Sequence, residues 1–221
     1  MGLDFPLLLQ TALYYFAAFL GLIVSISTGV TMVHLNGGCV LYNGLKWINR
    51  TSFEVDSKIN TDDQCHFVIY FNVFACIIYG LGMAFYHTVA MCKRDKDIGT
   101  QMWVMPFLLL NSLVAVIQFI ASCIMSVGFR QWCANILDGK KIGAPIDQCR
   151  DFQKLEHPPK GMYVKRAYDN TVAATTCSWI VCIVWLMLAV LSILRYLKNR
   201  RIREAGYYQD EEIIVEEELG A

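Results

Sequence analysis

Charge is missing where most proteins keep it. No Asp, Glu, Lys or Arg occurs in residues 5–45, 64–92, 98–129 or 170–194, although the chain carries 19 Lys+Arg and 19 Asp+Glu. A water-soluble helix keeps a polar face along its length, so apolar stretches this uninterrupted exclude a bundle dissolved in water. The net charge of zero excludes the basic surface that nucleic-acid binding needs, and a hydrophobic content of 56% excludes a disordered polar chain. His34, His66, His87 and His157 are scattered and no C-x-x-C pair accompanies them, so no metal centre is expected. H-E-x-x-H, G-x-S-x-G and a glycine-rich phosphate loop are all absent, and with them go the chemistries those motifs support. The chain is read as non-enzymatic and without a cofactor.

What is there is helix suited to hydrocarbon. About 20 apolar residues, rising 1.5 Å each, cross roughly 30 Å of bilayer core, and every charge-free stretch exceeds that length. Spans are expected at 9–31, 67–90, 104–127 and 172–194. The expected fold class is an all-α membrane protein, a four-transmembrane-helix bundle within residues 1–203. An acidic cytoplasmic tail, expected to be disordered, occupies 204–221. Met1-Gly2-Leu3-Asp4 lacks a positive charge and the first apolar run outlasts a secretory h-region, so that run is expected to remain as a span.

Orientation follows from the density of basic residues. Lys93, Arg94 and Lys96 crowd one short loop, and Arg195, Lys198, Arg200, Arg201 and Arg203 follow span four, whereas other Lys and Arg are spread thinly over two long loops. Dense clusters near span ends mark the cytoplasmic side, which places both termini there. Asn49-Arg50-Thr51 is the one N-x-Ser/Thr sequon and sits in the first long loop, where Asn49 is a candidate for glycosylation. The turn at 157–160, His-Pro-Pro-Lys, must be extended or bent.

Of 9 cysteines, Cys39, Cys65, Cys133 and Cys149 lie in the long loops. Four cysteines allow three connectivities. Pairing within each loop, Cys39 with Cys65 and Cys133 with Cys149, is the expectation, with cross-loop pairing still open. Each closed loop would contribute roughly 3 to 3.5 kcal/mol on a chain-entropy treatment and become a small stapled cap of its own. Cys76, Cys123, Cys177 and Cys182 fall inside spans as small hydrophobes. Cys92, beside Lys93 and Arg94 at the inner end of span two, is a candidate for reversible palmitoylation.

Within the spans, Gly21, Ser25 and Gly29 recur at intervals of four, as do Cys76, Gly80 and Ala84. Such stripes let helices approach closely, either inside the bundle or against a partner's helix. The intramembrane polar residues are Gln10, Asn72, His87, Asn111 and Gln118. Interhelical hydrogen bonding is their simplest use; lining a polar path by Asn72, Asn111 and Gln118 is the alternative. Without a carboxylate, lysine or arginine at depth, ion-coupled transport lacks its usual equipment.

These landmarks, taken in order, resemble one family. They are Gly38-Cys39-Val40-Leu41-Tyr42 after span one, the sequon at Asn49, Cys65-His66-Phe67 opening span two, and Ser126-Val127-Gly128-Phe129 running into Trp132-Cys133. Cys149 and a Trp-containing fourth span with a basic exit complete the set, and residues 8–200 as a whole are similar to the transmembrane protein 179/179B family. The resemblance implies four spans and brings no catalytic residues. Claudins fit less well, because Trp47 lacks their G-L-W…C…C arrangement; there is no tetraspanin Cys-Cys-Gly. The expected function is that of an accessory or organising protein in the lipid bilayer, with another integral membrane protein as its partner. The alternative is an oligomeric channel or carrier for a small solute.

Overall fold

A computed structural model describes residues 5–42, 44–49, 53–56, 62–92, 104–155 and 162–219. The basic residues Lys93, Arg94 and Lys96, the sequon's Arg50 and Thr51, and the turn at 157–160 lie outside the described residues.

Helix α1 runs over Phe5–His34. It stops where Asn36 and Gly37 take positive φ and the Gly37 N–H turns back to the Met32 carbonyl at 3.0 Å, a left-handed termination that glycine adopts without cost. The second span is compound: α2 over Asp62–Phe71, a π-helical stretch over Asn72–Tyr79, and α3 over Gly80–Cys92. Asn72 Nδ2 donates to the Val68 carbonyl at 2.8 Å, the acceptor that the Asn72 backbone N–H would use in an α-helix. Side-chain competition of this kind disturbs the α-helical ladder. Helix α4 covers Val104–Leu137 and α5 covers Ala167–Leu219. Each of the four spans is long and apolar enough to cross a membrane, and each contains the window read from the sequence.

Helix α5 continues through to Leu219. Glu and Leu are good helix formers, and Gly206 is the single glycine and no proline intervenes between 167 and 219.

The bundle is inverted by the standards of water. Phe19, Phe74, Phe85, Leu109, Leu113 and Val190 point outward, while Gln10, Asn72, His87, Asn111, Gln118 and Ser178 are buried. Exposed apolar surface on this scale is rare on soluble proteins and is what hydrocarbon favours. Helix α1 packs on both α5 and the second span, whereas α4 packs mainly on α5. The central core gathers Tyr14, Leu20, Cys76, Met83, Trp185 and Leu188.

Both long loops emerge at the same end, where they build a cap. Strands β1 (Gly44–Trp47) and β2 (Phe53–Asp56) form an antiparallel hairpin with Trp47 opposite Phe53. The second loop contributes two 3₁₀ turns, Asp138–Ile142 and Cys149–Lys154. The hairpin is an addition to the all-helical expectation: Trp, Phe and Val favour a pleated, half-buried surface, but four-residue strands give too short a periodicity to be read from the chain.

Candidate functional site

Two constructions deserve description as sites: the polar interior of the bundle and the cap above it. In the interior, all four spans converge on one amide. Asn111 of α4 has no exposed surface. Its Oδ1 accepts from the Tyr79 hydroxyl at 2.9 Å and its Nδ2 donates to Ser192 Oγ at 2.9 Å. The Tyr14 hydroxyl lies 3.0 Å from Oδ1 and 2.7 Å from Nδ2. Tyr14 belongs to α1, Tyr79 to the π-helical stretch and Ser192 to α5, so a single side chain ties every span to the others. In a medium without water each of these groups must find its partner within the protein.

A second node lies further along the spans. Gln118 Nε2 donates to Ser178 Oγ at 3.1 Å, and the Ser122 and Ser178 hydroxyls are 2.8 Å apart. Trp185 Nε1 donates to Cys76 Sγ at 3.4 Å. Near the end opposite the cap, Arg195 Nη1 donates to Gln10 Oε1 at 3.3 Å, and His87 packs against the Tyr14 ring at 5.4 Å between centroids. Asn72, Asn111 and Gln118 therefore face the packed interior. Asn111 and Gln118 bond across helices, while the Asn72 amide bonds within its own helix.

The small-residue stripes face each other. A Cβ added at Gly21 would collide with the Cβ of Cys76, and one at Gly80 would lie 3.5 Å from the Tyr14 carbonyl. Ser25 Oγ donates to the Ile69 carbonyl at 3.5 Å, Gly29 lies beside Ile69, and Ala84 has no exposed surface. Gly21, Ser25, Gly29, Cys76, Gly80 and Ala84 thus lie on the faces that spans one and two turn toward each other. Cys92 is exposed at the end of α3.

The cap is held by both disulfides. Cys39–Cys65 and Cys133–Cys149 have Cα separations of 5.7 Å and 5.2 Å. The pairing stays within each loop, but the expectation of two separate stapled caps is corrected: the loops share one apolar core. Phe53 of the hairpin packs on Phe152 at 5.1 Å, and Phe152 on Trp132 at 5.3 Å. Leu35 and Val40 of the first loop join Ile136, Ile146 and Val164 in the same cluster. The Tyr163 N–H donates to the His34 carbonyl at 2.7 Å, a direct backbone link between the second loop and the last residue of α1. Two glycines permit the closeness. A Cβ at Gly139 would sit 2.5 Å from the Trp47 ring, and one at Gly128 would sit 2.8 Å from Leu41 Cβ, too tight for any side chain to be added there.

Loop ends are fixed by charge as well. Asp151 Oδ1 accepts from Lys154 Nζ at 2.8 Å, and Asp151 Oδ2 accepts from the Gln148 N–H at 2.9 Å. Both interactions favour the carboxylate and hold its pKa below the ordinary aspartate value, with Lys154 the larger influence. Asn49 is exposed where β1 ends. Among the described residues no group of three or more His, Cys, Asp and Glu could hold a metal ion. Sequence reasoning did not find Tyr14, Tyr79, Ser178 or Ser192 as hydrogen-bonding groups, because tyrosine and serine in an apolar run carry no periodic signal of their own.

A four-span integral membrane protein with a disulfide-stapled cap on one side is the class these features define. The family model of the transmembrane protein 179/179B claudin domain matches residues 6–218, and the chain belongs to that family. It is 25% identical over 210 residues to transmembrane protein 179B of Danio rerio, an alignment that covers 92% of this chain and 90% of that protein. No solved structure matches. The word claudin in the family's description corrects the separation drawn from Trp47. Gly44-Leu45-Lys46-Trp47 carries one residue more than G-L-W, and it forms β1, with Trp47 against Phe53 and Gly139. Nothing in the match points to catalytic activity.

Proposed function

We propose that this chain is a non-enzymatic accessory or organising subunit whose cap, on the extracytoplasmic side, engages another integral membrane protein. The observation that carries the reading is the construction of the cap. Two loops are cross-linked, share an apolar core, and still present Ile48, Ile142 and Tyr163 to solvent at 59%, 42% and 49% exposure. Outside the bilayer such side chains gain nothing from lipid, and a rigid platform loses little entropy on binding. The small-residue stripes are used inside the bundle, so the cap and the lipid-facing helix surfaces are what remain for recognition. A channel or carrier reading would need Asn72, Asn111 and Gln118 to line a lumen, whereas they face a packed interior.

The orientation, with both termini cytoplasmic, is supported by the dense basic clusters at 93–96 and 195–203, by the exposed position of Asn49 and by the shared end of both disulfides. A glycosidase-sensitive mobility shift is expected for the wild-type chain and is expected to vanish in Asn49→Gln. An impermeant reagent that labels either terminus on intact cells would reverse the assignment. For the partner, gentle detergent extraction followed by native mass spectrometry should recover a stoichiometric complex that Ile142→Asp weakens without changing thermal stability. Recovery of monomer alone from several cell types would end the proposal.

A further inference from the structure

We infer that one buried water molecule is held at the joint between bundle and cap, bridging spans one and four through Thr28, Thr31 and Thr171. A cavity of about 10 Å³ lies there, lined by those three threonines together with Leu41, Cys65 and Met125. That volume is close to the minimum that admits a single water, roughly 10–15 Å³.

The hydroxyls supply the specificity. Thr31 Oγ1 donates to the Ser27 carbonyl and Thr171 Oγ1 to the Ala167 carbonyl, both at 2.7 Å. Each hydroxyl proton is thereby committed and each oxygen is left with lone pairs to offer. Thr28 differs. Its Oγ1 is buried without a partner, in a residue only 8% exposed. It does not take the carbonyl one turn back, although Thr11, Thr31, Thr88, Thr171 and Thr175 all do. One free donor and two oxygens with free lone pairs, on residues that line one cavity, complement a water molecule that accepts from Thr28 and donates to Thr31 and Thr171. A water with three such bonds is as well satisfied as buried waters generally are. A bound cation fits poorly, since the site has no carboxylate to offset the loss of hydration.

The position gives the water a role. Cys65, which lines the cavity, is bonded to Cys39, so the bridge lies directly beneath the first staple. Here the Thr28 hydroxyl, which α1 does not satisfy by itself, shares a cavity with Thr171 of α5.

The test turns on the sign of one substitution. Valine replaces threonine with almost the same shape and no hydroxyl. If the water is present, Thr28→Val removes its donor and strands the bridge, and the melting temperature of the purified protein should fall by about 2–4 °C, the shift expected for one lost interaction in a chain of this size. Thr11→Val, whose hydroxyl is bonded within its own helix and lines no part of the cavity, is the control and should fall by less. A dry cavity predicts the reverse: Thr28→Val deletes an unsatisfied buried hydroxyl and melts at or above the wild-type temperature. Density maps at a resolution that shows waters provide an independent reading. A peak within hydrogen-bonding distance of all three threonine oxygens supports the bridge. An unoccupied cavity in such a map overturns it, whatever the melting temperatures.

Discussion

Cys39→Ala/Cys65→Ala should cost the protein about 3.5 kcal/mol of stability against unfolding in denaturing detergent, the value a chain-entropy treatment assigns to a loop of this length. The pair is separated by 26 residues and closes the hairpin-bearing loop onto the cap-side ends of spans one and two. Both cysteines are buried among Val24, Leu41, Val68 and Met125, so alanine is the appropriate replacement; serine would add the desolvation of two hydroxyls. Cys133–Cys149 closes 16 residues, and its removal should cost slightly less, about 3.1 kcal/mol on the same treatment. The measurement is a titration with denaturing detergent, followed by the fluorescence of Trp47 and Trp132 in the cap and Trp179 and Trp185 in span four. Because the loops share one core, loss of either staple should loosen the whole cap. Unchanged denaturation midpoints in both double variants would show that packing alone holds it.

Asn111→Leu is the second large effect, expected at about 2–3 kcal/mol. A buried polar group left without a partner costs about 1–3 kcal/mol, while hydrogen bonds measured between helices in membranes average only about 0.6 kcal/mol. Leucine would leave the Tyr14 and Tyr79 hydroxyls without their shared acceptor and deprive Ser192 Oγ of its donor. Ser192 keeps its bond to the Leu188 carbonyl at 2.7 Å and loses least. Gln118→Leu should cost less, because the Ser122–Ser178 contact survives it. A decisive comparison is the triple variant Tyr14→Phe/Tyr79→Phe/Asn111→Leu. Replacing both tyrosines by phenylalanine removes the two stranded hydroxyls, while Ser192 keeps its bond to Leu188, so the triple variant should recover much of the loss seen in Asn111→Leu alone. If the single substitution is neutral, the four spans do not depend on this node.

The legibility of the chain varied with the range of the physics involved. Spans could be read because hydropathy is local: whether residues 104–127 prefer hydrocarbon does not depend on what lies beside them. The cysteine pairing was readable as a preference, since short loops close at modest entropic cost, but not as a choice among connectivities. Asn111 was recognisable as an intramembrane polar residue that needed a partner. Its partners were not recognisable, because Tyr14 and Ser192 stand 97 and 81 residues away in the chain and only the packing of four helices brings them to one point.

Residue by residue, then, the chain alone determined that it lives in a membrane, where its four crossings fall and which loops carry its staples. Those properties follow from transfer free energies and short-range closure, which add along the sequence. Tertiary structure decided that the two loops make one cap, that the glycine stripes turn inward, and that polar side chains satisfy one another across the bundle. Each of these is a contact between distant residues whose energy exists only when both are in place.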